Sequence, residues 1–143
     1  MRNKLFVLIT GIAAITFFFG FLLAPASPGS TVYELKVIKV EGVWRVVDAS
    51  DYSKRKVKVK KKDTIVWTIE GTNAYFQFSN SVFDAAGVSD SLKNGSTKFV
   101  ADGKKLKLKV RDDAPLGPQV YAVFCSADGV FAQGESPPKI VIE

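Results

Sequence analysis

The sequence of 143 residues predicts an all-β domain, a two-sheet sandwich, preceded by one N-terminal transmembrane or signal helix. Three observations predict it. Beyond Gly29, apolar residues recur at every second position over short runs, the period of a half-buried strand. Gly, Pro, Asp and Asn punctuate those runs as turns do. Seven or eight such strands with one long irregular connection suit two sheets that bury alternate residues against each other. The expected boundaries are 1–26 for the signal anchor or signal peptide, 27–30 for a linker and 31–143 for the sandwich.

The N-terminal segment carries Arg2 and Lys4 and is then uncharged from Leu5 to Ala24. As a helix rising 1.5 Å per residue, that run covers about 30 Å, the thickness of a bilayer core. Its length favours an uncleaved anchor, since a cleavable signal has roughly 7–15 apolar residues. Ala24-Pro25-Ala26 nevertheless offers the small residues that a signal peptidase needs. Positive charge lies before the run and the next Lys is Lys36, so the domain is expected outside the cytoplasm, single-pass on the cell membrane. It is secreted or periplasmic if the signal is cleaved.

Along the domain, "TVYELKVIKV" and "VWRVV" flank Glu41-Gly42 and predict a first hairpin. "KVKVK" (Lys56 to Lys60) and "TIVWTI" (Thr64 to Ile69) predict an exposed and a more buried strand, and "AYFQF" (Ala74 to Phe78) another. From Asn80 to Thr97 the alternation fails, with at most one helical turn around Phe83 to Ala86. It returns in "KKLKLKV" (Lys104 to Val110). "DDAPLGPQ" reads as a turn-rich link, "VYAVFC" as a strand and "KIVIE" as the closing strand. Trp67 is expected in the core. Tyr75 is expected opposite Phe76 and Phe78, toward solvent or the loop end.

The net charge of +6 is concentrated in "KRKVKVKKK" (Lys54 to Lys62) and "KKLKLKVR" (Lys104 to Arg111). Lysine at every second position with Val or Leu between is what the wet face of a half-buried strand requires, and edge lysines discourage pairing with other molecules. A membrane-surface or acidic-partner patch needs the two runs side by side. Export removes nucleic acid as a partner. One cysteine and no histidine exclude an internal disulfide, a histidine base and the usual zinc sets. With no GxSxG and no phosphate-binding glycine loop, no enzyme is expected. Asn94-Gly95-Ser96 meets the glycosylation pattern.

The order of a "VKVKKKDTIVWTI" strand pair, a polar "EGTN" turn, "AYFQF", a long irregular stretch, "DDAPLG", "YAVFC" with a short loop and "KIVIE" resembles the cupredoxin superfamily, the plastocyanin-like copper proteins. The resemblance spans Lys56 to Glu143 and implies a Greek-key sandwich. It places the family's copper-binding cysteine on Cys125. The first histidine falls on Ala74 beside Asn73, the second on Asp128, and the axial ligand on Gln133. Thiolate and imidazole together suit both copper oxidation states, and this chain has no imidazole. A type 1 copper site is therefore not expected.

The expected role is a binding or assembly module with a protein partner, no cofactor, and the membrane held through the N-terminal helix. Tyr75, Asp128, Phe131 and Gln133 are the candidate partner surface. The alternative is a copper-handling or electron-transfer protein with an unusual thiolate site, its remnant donors being Cys125, Asp128 and Gln133. Cys125 also suits a small apolar residue filling the sandwich end.

Overall fold

The computed structural model describes residues 29–79, 82–84, 97–135 and 137–143. The predicted N-terminal helix lies outside the described residues, as do the glycosylation pattern and most of the irregular stretch from Asn80. The described residues form an all-β fold of eleven strands. β1 (Val32–Val40), β2 (Val43–Asp48), β4 (Thr64–Ile69) and β7 (Lys105–Lys109) form one sheet in the order β2-β1-β4-β7. A second contains β5 (Ala74–Gln77), β6 (Thr97–Val100), β9 (Ala122–Cys125) and β10 (Val130–Phe131), ordered β10-β9-β5-β6. β3 (Val57–Val59), β8 (Gly117–Val120) and β11 (Lys139–Ile142) form a third, β3-β11-β8.

Three hydrogen-bonded sheets thus stand where two were expected. The reason is local: only Tyr121 separates β8 from β9, so one run of chain serves two sheets. It turns where the Tyr121 N–H donates to the Pro138 carbonyl at 3.0 Å. Three strands escaped the sequence pattern. β6 carries its phenylalanine outward, Phe99 being 51% exposed, which inverts the usual alternation. β8 opens with Gly117-Pro118 and reads as a turn, but it is an edge strand, where a missing N–H is tolerated. β10 is two residues long.

The expected first hairpin forms with Val40 opposite Val43. Glu41 and Gly42 both take positive φ (50° and 79°), the geometry that matches strand twist in a two-residue turn. β1 also runs parallel to β4, pairing Leu35 with Trp67. Trp67 has no exposed surface. Its ring meets those of Phe76, Phe78, Phe83 and Tyr121 at centroid distances of 5.4–5.8 Å, and its indole N–H donates to the Tyr121 hydroxyl at 3.1 Å. The core thus closes around a tryptophan whose one polar atom is satisfied, as burial requires.

The strands run between two poles. At one, Thr31 enters the fold beside Asp63. At the other, the turn at Gly71 to Asn73 meets the loop after Cys125. The five steps from Thr64 to Ile69 separate them by roughly 17 Å.

Candidate functional site

Alternation on β9 turns Val123 and Cys125 inward, both without exposed surface, and leaves Phe124 on the outer face. Cys125 is the register partner of Ala74 on β5 and of Val130 on β10. The positions to which the cupredoxin resemblance assigns a cysteine and a histidine are therefore cross-strand neighbours. The following loop is fastened to the β4–β5 turn. The Ser126 N–H donates to the Asn73 carbonyl (3.0 Å) and the Ala127 N–H to Thr72 Oγ1 (3.1 Å). Burial, and secondarily the Asp128 carboxylate, push the Cys125 thiol up to about 11. It stays protonated at neutral pH, the inert form of cysteine.

The Asp128 carboxylate is held by β1 and β2. Its Oδ2 accepts from Lys39 Nζ at 2.6 Å and from Trp44 Nε1 at 2.7 Å, and these two donors hold its carboxyl below the usual range. Lys39 Nζ also lies 5.8 Å from the Trp44 ring centroid. Gln133 is tied by its backbone to β2: its N–H donates to the Trp44 carbonyl (2.8 Å) and its carbonyl accepts from the Val46 N–H (2.9 Å). Asp128 and Gln133 thus serve the β1–β2 side of the loop.

Tyr75 and Phe131 lie elsewhere, on the outer face of the β10-β9-β5-β6 sheet. Tyr75 is opposite Phe99 on one side and Phe124 on the other, and Phe124 is opposite Phe131. Each strand contributes one ring to a continuous row, with centroid separations of 5.1 Å (Tyr75–Phe99), 6.3 Å (Tyr75–Phe124) and 5.4 Å (Phe124–Phe131). Tyr75 is 40% exposed and Phe131 64% exposed. A cleft of about 470 Å³ lies against the row, and its remaining lining, Gln77, Thr97, Ala122 and Ser126, is uncharged. The sequence-derived surface therefore divides: Tyr75 and Phe131 belong together, while Asp128 and Gln133 do not join them. Phe99 and Phe124 were missed. An aromatic ring at an outward position of its strand was the available signal, but only the pairing of strands lines the rings up.

No family model matches the sequence, and no curated protein matches it. Among solved structures, the chain is similar to amicyanin. The reduced Cu(I) form at pH 4 of a proline-to-glycine mutant is 15% identical over 84% of this chain and 88% of that one, with a TM-score of 0.38. The Cu(I) form of a methionine-to-alanine mutant is 16% identical with a TM-score of 0.39, and a reduced tryptophan-to-tyrosine mutant 15% with 0.40, both over the same shares. The described residues form an all-β fold of several sheets, consistent with the sandwich that the sequence's resemblance to the cupredoxins implies.

The sequence's resemblance to the cupredoxins implies copper, and the residues present do not fit it. Ala74 offers a methyl group where an imidazole would stand, and the chain has no histidine to substitute. The Asp128 carboxylate is engaged by Lys39 and Trp44, and the thiol is held protonated. Among the described residues no group of three or more His, Cys, Asp or Glu could hold a metal ion.

Proposed function

We propose that the chain is an exported, membrane-anchored binding module whose cupredoxin-like domain docks a protein partner on the aromatic row. The observation that carries this reading is the line of Phe99, Tyr75, Phe124 and Phe131 across four strands, exposed at Phe99, Tyr75 and Phe131 and half-buried at Phe124, with an uncharged cleft beside Tyr75, Phe124 and Phe131. Clustered exposed aromatics are the composition of interface centres. Tyr and Phe give large buried area for little lost side-chain entropy. The uncharged cleft favours a partner that presents an apolar, uncharged surface, since a charge brought here would lose its water without gaining a counter-charge. The N-terminal apolar run supports the anchor, and its flanking charges support the extracytoplasmic side.

The test uses the full chain in its native membrane. A photo-crosslinking residue at Phe131 or Phe99 is expected to trap one and the same protein, and one at Lys107, on a different sheet, is not. Tyr75→Ser with Phe131→Ser is expected to weaken capture at least about tenfold, the loss typical of truncating an interface anchor, with an unchanged melting temperature. Equal trapping from Lys107, or undiminished capture by the folded double variant, overturns the reading.

A further inference from the structure

We infer that the pole where the chain enters the domain is a headgroup-facing surface, on which Lys60, Lys61 and Lys109 meet the phosphates of the bilayer that holds the N-terminal segment. This rests on the membrane anchor proposed above. The entry point is pinned. The Thr31 N–H donates to Asp63 Oδ1 (2.8 Å), the other oxygen of the same carboxylate accepts from the Lys60 N–H (2.7 Å), and the Thr64 N–H donates to the Thr31 carbonyl (2.9 Å). Asp63 is 1% exposed, so the domain begins inside the lysine turn between β3 and β4.

The second basic run ends at the same place. The Lys62 N–H donates to the Val110 carbonyl (3.0 Å) and the Val110 N–H to the Asp63 carbonyl (2.8 Å), while Lys109 is the register partner of Thr64. The two runs thus meet end to end. Acidic neighbours answer part of the charge: Asp112 pairs with Lys62 (3.3 Å), Asp113 with Arg111 (2.7 Å) and Glu143 with Lys58 (2.5 Å). Lys60, Lys61 and Lys109 are exposed and have no ion pair among the described residues. A pole that kept lysine only as the wet face of a strand would not need Lys60 and Lys61, which lie in a turn.

The chain outside the described residues decides what covers this pole. Only Pro25 to Ser30 separate the uncharged run from Thr31, and at full extension they reach roughly 20 Å. Held that close, the lysines sit within a few screening lengths of the headgroups, each about 8–10 Å at physiological salt. Exposed basic residues held at a bilayer are attracted to anionic headgroups in the leaflet they face. The contact would stand the domain upright, with the Asn73 and Asp128 pole directed away from the bilayer.

The experiment reconstitutes the full chain in vesicles of phosphatidylcholine alone and with roughly 30% phosphatidylglycerol, then measures acylation of each lysine by a membrane-impermeant amine reagent. Labelling of Lys60, Lys61 and Lys109 is expected to slow about threefold in the anionic vesicles, with Lys104 at the far pole unchanged, and to recover at about 0.5 M salt as screening shortens. Equal labelling in the two compositions by a chain that resists carbonate extraction overturns the orientation and leaves the anchor standing. This is also the outcome if an acidic protein is the true occupant. A chain washed off by carbonate overturns the anchor and the orientation with it.

Discussion

Cys125 illustrates how little a residue's identity says without its surroundings. The thiol has no exposed surface and faces Ala74 across the strands. Burial moves it from 9.0 to about 11. A pKa raised on folding stabilises the fold fully below pH 9.0, where both states hold the proton. That contribution is lost as pH rises through about 11, because the unfolded chain ionises first. Wild type is therefore expected to lose more stability between pH 9 and 11 than Cys125→Ala, read as the difference between their urea midpoints. A pH-independent difference would show the thiol is not desolvated. The sequence left open whether Cys125 is a buried filler or a thiolate ligand, and its place opposite Ala74 and Val130 decided for burial. The satisfied carboxylate of Asp128 was not legible, because its donors Lys39 and Trp44 come from the first hairpin, far away in sequence.

Most elements were legible because each strand carries its own period. "TIVWTI" reads as buried, and all of β4 except Thr68 is buried. The strands that escaped break that rule for identifiable reasons: an outward Phe99, an edge Pro118, a two-residue β10. The connection from β10 to β11 shows a tighter constraint. Gly134 is buried at a close approach, and a Cβ there would lie 2.9 Å from Pro138 Cα. Gly134→Ala is expected to cost about 1–3 kcal/mol, as overpacking does, measured by urea unfolding. A change under about 0.5 kcal/mol would mean that this connection yields freely. The aromatic row belongs to this scale as well. Outward rings on single strands are visible in the sequence, but a row requires the strands in the order β10-β9-β5-β6.

For the whole molecule, closure depends on the last strand, because β11 lies between β3 and β8, and Ile140 and Ile142 are each 1% exposed. Removing residues 139–143 is expected to abolish cooperative unfolding, and Ile142→Ala to cost about 2–5 kcal/mol. A cooperative melt of the truncated chain would show that the other two sheets suffice. By itself the sequence determined the all-β class, the first hairpin, the inward face of most strands and the want of imidazole for a copper centre. Those are properties of composition and of local period, which need no partner strand. Tertiary structure alone decided that Leu35 lies beside Trp67, that four aromatic rings form a row, and that both basic runs end at the Asp63 entry point. Alternation says which side chains share a face of their own strand. Which strand lies alongside is set by packing between residues distant in the chain, and it is that pairing which turns separate side chains into a surface.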